Sequence, residues 1–443
     1  MQTAIVVGSG VAGLLSAILL KEKYREVYLI EQSRQIGGLL RSYQNESGDW
    51  FDHGTHLISG TAIPEIDAII LNNNWTKKWQ HFPYERAGTY FKGRLNQGCV
   101  FVDTKDIGKN YGRGLSDLLE ITAYPKTFEN ARTQLEGIFG QTFTNEIFAP
   151  ILENLFCVDS LHELLPDAHL RFSMKRLQML NTKATALIKQ IPIYDDRISY
   201  KKYTTTVDNR TIYYPYEGGA NEWVREFEKE LKQLGVHILC EQSVEKVHHK
   251  QTRVESVILA NGKVLSCNKL VWTVPTVFLF KAAGIEFRPQ PPRRVCTSLF
   301  HYTIDNMPLA KDWYIFCYDP KVLAFRVTLY SNLQPDLAEK SGRHRITVEV
   351  LTADPLNFDE ATQKIFDELI EMGIVAHDAN ILYQKALTVP MGFPILDHSY
   401  QKIKQNLRDT AQEHFSNVVF AGKDSLDAWF MPEVFKEVYK KLT

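Results

Sequence analysis

Ala4-Ile5-Val6-Val7-Gly8-Ser9-Gly10-Val11-Ala12-Gly13-Leu14-Leu15-Ser16-Ala17-Ile18-Leu19-Leu20 is the stretch that decides the fold of this chain. Four apolar residues predict a buried strand, the glycines a tight turn, and the apolar run beyond them a helix. Gly8 permits the turn off the strand, Gly10 lets the backbone approach a pyrophosphate, and Gly13 lets the helix settle against the sheet. The N–H groups of the first turn, Val11 and Ala12 among them, then face an anion together with the helix dipole. A second strand, Glu26-Val27-Tyr28-Leu29-Ile30, ends at Glu31 and Gln32. Glu31 stands near the spacing at which a carboxylate accepts hydrogen bonds from a ribose. The glycine pattern alone is a weak signal, but strand, turn, helix, strand and acid in this order predict a Rossmann-like dinucleotide site.

The remaining composition narrows the function by exclusion. The 443 residues are 44% hydrophobic and 23% charged, with a formal net charge of −1. That is enough chain for two or three packed units, and it offers no global field for nucleic acid. The six cysteines, Cys99, Cys157, Cys240, Cys267, Cys296 and Cys317, contain no CxxC pair. They indicate neither a zinc site nor a disulfide framework, and a reducing cytoplasm fits them best. No apolar run approaches the ~18 residues of a membrane span. The first strand begins too early to leave room for a signal peptide. The sequons at Asn45, Asn74 and Asn209 are read as chance matches.

Changes of pattern mark the domains. The opening βαβ unit reaches about residue 60, and Ile63 to Met179 reads as mostly helical, with one hairpin between Thr89 and Val102. Asn221 to Leu234 carries Trp223, Val224, Phe227, Leu231 and Leu234 on one helical face, with Gly235 as its stop. A hairpin turning at Asn261-Gly262 follows, then the strand Leu270-Val271-Trp272-Thr273. Several strands between about 295 and 351 predict a second, antiparallel sheet, and Asp359 to Met372 a helix. Val418-Val419-Phe420-Ala421-Gly422 reads as one more buried strand ending in glycine. The expected fold is α/β. Residues 1–60, 215–288 and 390–443 form a discontinuous cofactor domain, 61–214 a mostly helical cap, and 289–389 a sheet-containing substrate domain.

A second layer of motif follows Glu31: Ile36-Gly37-Gly38-Leu39-Leu40-Arg41-Ser42, then Phe51-Asp52-His53-Gly54-Thr55-His56-Leu57-Ile58. This order resembles the FAD-dependent superfamily of amine oxidases, protoporphyrinogen oxidases and UDP-galactopyranose mutases. The resemblance implies a Rossmann-like FAD-binding domain and FAD rather than NAD, bound non-covalently because no Cys or His stands in a flavin-linkage motif. It implies that Gly37, Gly38, Leu39 and Arg41 lie along the FAD pyrophosphate, that the backbone of Val244 meets the adenine, and that Gly422 lies beside the ribityl chain. The middle and end of the chain look most like the mutases. Gly54-Thr55-His56-Leu57-Ile58 is similar to their segment whose histidine lies beside the flavin. Phe325-Arg326-Val327-Thr328 is similar to one whose arginine holds the substrate diphosphate. Phe393-Pro394 and the stretch from Val418 resemble the mutase carboxyl terminus, which adds Phe430, Met431 and Val434 to the cofactor residues. Leu165-Pro166 to Arg176 aligns loosely with a segment ending in a substrate arginine.

The departures lie at the substrate. The mutases carry Gly-Arg where this chain has Gly422-Lys423, and tyrosines where it has Asp427-Ala428-Trp429-Phe430. Lysine loses the bidentate fork, and the replacing rings lose the hydroxyls that bond phosphate oxygens. His56 either serves the flavin or braces a buried turn, and Arg326 is either a phosphate clamp or part of a solvated strand face. Arg176, beside Lys175 and Arg171 on an expected helical stretch, reads more simply as a solvated face, and Tyr216 as packing or pocket lining.

Two reactions follow from the resemblance. As a mutase, the chain would act on a small-molecule nucleotide sugar through reduced-flavin attack at the anomeric carbon. His56 and Arg326 would then be catalytic, Arg176, Tyr216, Arg326, Lys423 and Trp429 would bind substrate, and NAD(P)H would serve as reductant. As an oxidoreductase, it would transfer hydride from substrate to flavin in an apolar, aromatic pocket, with Arg326 on a carboxylate and Trp429 and Phe430 in a cage. A flavoprotein acting only as a binding module is a third, lesser reading.

Overall fold

The strand Thr3–Val7 (β1) forms because four β-branched or small apolar residues alternate between two buried faces. Ala4 and Val6 pack toward one cluster, Ile5 and Val7 toward another. The computed structural model describes residues 2–72, 77–202, 211–287, 290–422 and 428–443. Lys423, Asp427, Asn74 and Asn209 lie outside the described residues.

Helix Val11–Lys21 (α1) follows β1 and strand Glu26–Ile30 (β2) pairs parallel with it. The sheet has five parallel strands in the order His237–Leu239, β2, β1, Lys269–Trp272, Val418–Phe420. It is thus assembled from three separated pieces of chain. A parallel sheet needs cover on both faces. The Ala4 and Val6 face lies under α1, which is buried from Ala12 to Leu20, under Asn221–Gln233 and under the final helix Met431–Leu442. The Ile5 and Val7 face lies under an antiparallel meander of Val244–Lys250, Arg253–Leu259 and Val264–Ser266, whose turn has Gly262 at φ 82°. Lys23, two residues past α1, donates from Nζ to the Leu442 carbonyl at 2.6 Å. The last helix therefore runs alongside α1 in the same direction, and both helices begin at the same edge of the sheet.

The second sheet has seven strands, in the order Ile381–Pro394, Arg294–Ile304, His344–Thr352, Ala324–Leu329, Tyr314–Cys317, Ala87–Phe91, Arg94–Asn96. All neighbours are antiparallel except Tyr314–Cys317 with Ala87–Phe91. Of the segment 61–214, read as mostly helical with one hairpin, Ala87–Phe91 and Arg94–Asn96 join this sheet, while Trp79–Phe82 pairs in a separate three-stranded sheet with Ile58–Ser59 and Ile212–Pro215. The hairpin is shorter than Thr89 to Val102: it turns at Lys92-Gly93 and ends at Asn96. Ala87–Phe91 is buried at every residue because its partner, Tyr314–Cys317, comes from far along the chain. Arg176 is not helical either. A 3₁₀ turn, Ala168–Phe172, and the two-residue strand Leu177–Gln178 flank it.

The helical part is tied by Arg197, which is wholly buried. Its guanidinium donates to the carbonyls of Ile193 (2.8 Å), Ile138 (2.8 Å), Ile121 (2.9 Å) and Leu118 (3.3 Å). Carbonyls of three helical segments converge on one fork, satisfying groups that burial would otherwise leave bare.

Two buried histidines make the fold acid-sensitive. Burial lowers His169 to about 4 and His301 to about 3, from an ordinary value of 6.5. Both are neutral when folded and take up protons more readily when unfolded. Their contribution is therefore complete above about pH 6.5 and is lost as pH falls toward the folded values, by about 1.4 kcal/mol per unit and per group. Urea unfolding from pH 7 to 4 should show this decline, and His301→Gln should make the slope shallower by about one proton.

Candidate functional site

At the shared edge where α1 and the last helix begin, three glycine segments meet. Gly8 leaves β1 at φ 94°, and its N–H donates to the Ile30 carbonyl at 2.9 Å. A side chain at Gly13 would overlap the Gly8 carbonyl, so turn and helix can close only with glycine there. The Gly37 N–H donates to the Ser9 carbonyl at 2.9 Å, and a Cβ on Gly38 would lie 3.0 Å from the Gly10 Cα. A Cβ on Gly422 would lie 3.4 Å from the Ala12 Cβ and from the Thr273 carbonyl oxygen. Gly10 itself differs, since a Cβ there would meet nothing of the chain within 4 Å. Gly10 is the N-cap of α1 and offers no side chain to its first-turn N–H groups. The result is open space beside bare backbone and a helix N-terminus, which suits a diphosphate.

The neighbouring residues fit the rest of a dinucleotide. Glu31 Oε2 accepts from Ser9 N (3.1 Å) and Ser9 Oγ (2.5 Å), and its Oε1 from Ser33 N (2.9 Å). These bonds fix the carboxylate at the end of β2. The Gln242 N–H donates to the Glu31 carbonyl at 3.0 Å, which brings the chain entering Val244 to the same edge. Among the described residues, Arg41 spends only its Nε, on the Gly38 carbonyl at 2.9 Å. Gln32 and Leu39 are exposed, Val11 is half-buried and Val434 is buried. Met431 opens the last helix, and Glu433 accepts from the N–H groups of Trp429 (2.8 Å) and Phe430 (3.0 Å) to shape that opening.

Beyond the glycines, the segment Gly54-Thr55-His56 lies against the second sheet through a carboxylate that sequence reasoning missed. Glu349 is 4% exposed and receives both Nε and Nη2 of Arg326, each at 2.6 Å. It also accepts from the Thr55 N–H at 3.0 Å, and Thr55 Oγ1 bonds Thr328 Oγ1 at 2.6 Å. A Cβ on Gly54 would press on the same carboxylate. Burial would raise the Glu349 carboxyl, but the Arg326 charge and hydrogen bonds hold it below its ordinary value. Burial would lower Arg326, and Glu349 more than restores it. The pair is thus doubly ionised and neutral overall. His56 is held below its ordinary value by burial, against the pull of Asp52 and Glu349, and one ring nitrogen, Nε2, meets the His53 carbonyl at 3.2 Å. Asp52 anchors this segment by accepting from Ser42 Oγ, Tyr214 OH and the Ala220 N–H.

A second arginine lies at an aromatic wall. Phe325, beside Arg326, meets Phe172 edge-on at 5.3 Å; Phe172 stacks with Phe393 at 6.0 Å, and Phe393 meets Trp429 at 5.3 Å. The Arg171 guanidinium stands over the Trp429 ring at 4.6 Å, half-buried. It makes no hydrogen bond to the described residues, and burial lowers its proton affinity despite the charge of Glu433. Arg176, the sequence candidate, turns instead to the Asp195 carbonyl (3.2 Å) and Asp196 (4.0 Å). Tyr216 is 50% exposed in a separate surface cleft with Gln80, Gln334 and Lys340. The structure therefore brings Arg326, Thr55 and His56 together, brings Trp429 to Arg171, and joins neither Arg176 nor Tyr216 to them by a hydrogen bond, ion pair or ring contact. The signal for Arg171 was its place next to Phe172, which the aromatic wall buries. Glu349 gave none, since it sits in the alternating strand His344–Thr352.

The comparisons with known proteins agree with this geometry. The NAD(P)-binding Rossmann-like domain family matches residues 6–69. A 1-hydroxycarotenoid 3,4-desaturase of Flavobacterium sp. (strain P99-3) is 25% identical, over 69% of this chain and 64% of that protein. A 4,4'-diapolycopen-4-al dehydrogenase of Metabacillus indicus is 23% identical, over 88% of this chain and 83% of that protein. The chain thus spans less than two thirds of the desaturase. The crystal structure of a reduced UDP-galactopyranose mutase shares the fold with a TM-score of 0.77 at 14% identity, over 100% of this chain and 95% of that one. Sequence and fold together support a likeness to the FAD-dependent amine oxidase-like superfamily. The open space at Gly10 is the feature of this chain that fits such a cofactor.

Gly10→Ala tests the cradle. The new methyl has free space within the chain, so thermal stability of flavin-stripped protein should stay within about 1 kcal/mol of wild type. Flavin content measured after purification should fall severalfold if the open space at Gly10 takes a diphosphate, because the methyl would fill that space.

Proposed function

We propose that the chain is an FAD-dependent oxidoreductase that removes a hydride and a proton from the carbon skeleton of a small molecule bearing one anionic group. The Arg326–Glu349 pair is the observation that carries this reading. A diphosphate clamp needs a free cation, and here both Nε and Nη2 are spent on a buried carboxylate. Displacing Glu349 would leave a buried charge unpaired, at a cost of several kcal/mol. A neutral pair instead suits an uncharged skeleton, as do the desaturase and dehydrogenase activities of the two relatives.

Gly10, Val11, Ala12, Gly38, Arg41 and Gly422 would hold the FAD diphosphate non-covalently, with Glu31 at the ribose and Val244 at the adenine. Bound FAD would supply the two-electron acceptor, itself reoxidised by oxygen or a quinone. Thr55 and Glu349 fix the Gly54 to His56 segment. His56, kept uncharged by burial, is assigned the substrate proton that leaves with the hydride. Arg171 over Trp429 binds the anionic group, charge-assisted and desolvated.

A mutase acting on a nucleotide sugar is the second reading, supported by the fold likeness over the whole chain. There Arg171 and Lys423 would meet the diphosphate, and NAD(P)H would supply the reduced state.

Oxidised holoprotein should lose its flavin colour anaerobically with a polyene carboxylate or an amino-acid substrate, with Arg171→Ala raising KM about tenfold and changing kcat less. Isomerised nucleotide sugar formed only by dithionite-reduced protein would overturn the reading. Glu349→Gln should free Arg326 and tighten UDP binding about tenfold in calorimetry, while lowering stability by about 3 kcal/mol.

A further inference from the structure

The segment that presents Arg171 is held in a backbone shape that its own residues disfavour. Asp167 and Ser173, at its two ends, have φ of 66° and 58°, in the left-handed region that favours glycine. Between them the 3₁₀ turn Ala168–Phe172 buries Phe172 and sends Arg171 to Trp429. The Asp167 side chain makes no capping bond to that turn. Its partner is Gln134, on the helix Ala131–Phe139 and only 6% exposed. The Asp167 N–H donates to Gln134 Oε1 at 2.6 Å, and Gln134 Nε2 donates to Asp167 Oδ1 at 2.7 Å. One planar amide thus engages backbone and side chain of the same residue. A carboxylate of equal length would lack the donor, and an aliphatic side chain would lack both groups.

We infer that Gln134 is a positioning residue for Arg171: by pinning Asp167 in its left-handed conformation it sets the direction of the 168–172 turn, and so places the guanidinium for the substrate anion. Gln134 itself does not reach the substrate. The inference rests on the anion-binding role given to Arg171 above. Without the pin, Asp167 relaxes toward ordinary backbone angles and the turn redirects its third and fourth residues, while the helix Ala131–Phe139 keeps its own Asn130 capping box.

The test uses flavin-loaded protein, with benzoate and inorganic pyrophosphate as anion probes and flavin absorbance as the readout. Gln134→Leu should weaken the bound probe about tenfold, the effect of losing one or two buried hydrogen bonds, with flavin content unchanged. Asp167→Gly in that background should restore affinity, since glycine adopts the left-handed angle unaided. A merely structural role for Gln134 would not be rescued this way. Should Gln134→Leu not fold, Gln134→Glu keeps the length and sets a carboxylate against Asp167, weakening the probe at pH 8 and recovering as the solution is acidified. Wild-type affinity in Gln134→Leu, or no recovery with Asp167→Gly, overturns the inference while leaving Arg171 intact. An unchanged Arg171→Ala affinity, or failure of both probes to bind wild type, overturns the anion reading itself.

Discussion

The close approach of three backbones around Gly10 is the constraint on which the rest of the molecule depends. The turn after β1, the Gly37-Gly38 segment and Gly422 come from distant parts of the chain, yet a single Cβ at Gly38 or Gly13 would separate them. Their meeting fixes where α1 begins and where the strand Val418–Phe420 ends. The last helix starts at that edge, parallel to α1. Two helix N-termini and a rim of bare N–H groups therefore face one space. The fold needs no charged residue there to attract a diphosphate, since the backbone supplies the field.

The second sheet contributes chemistry of another kind. Its Arg326–Glu349 pair presents a neutral, rigid surface to the Gly54 to His56 segment, and the only bonds crossing to that segment from the pair are those of Glu349 with Thr55. Arg171 sits on a turn rather than a strand and has an aromatic ring beneath it. On the proposed reading, rigid scaffold and strained turn divide the site: one would set polarity near the flavin, the other would select the substrate.

The sequence was most legible where structure is local. β1, α1 and β2, the helix Asn221–Gln233 and the Asn261-Gly262 hairpin are written in periodicity and turn chemistry within a few residues. Non-local pairing was not legible. Ala87–Phe91 owes its strand to Tyr314–Cys317, and nothing in Ala-Gly-Thr-Tyr-Phe announces that partner. Arg326 could be named from its motif, but its neutralisation could not, because Glu349 lies on the neighbouring strand, 23 positions away. Arg171 and Arg176 are close in sequence, on what reads as one helical stretch. The left-handed residues Asp167 and Ser173 break that geometry and send the two side chains to different partners.

The Gly10 opening is proposed to hold a flavin dinucleotide at an otherwise ordinary Rossmann edge. Acid release of the cofactor from purified protein, followed by chromatography and absorbance, measures it directly. One equivalent of free FAD per chain is expected, none of it left attached to protein. A colourless protein that takes up no FAD on reconstitution and instead binds NAD(P)H at this site would contradict it.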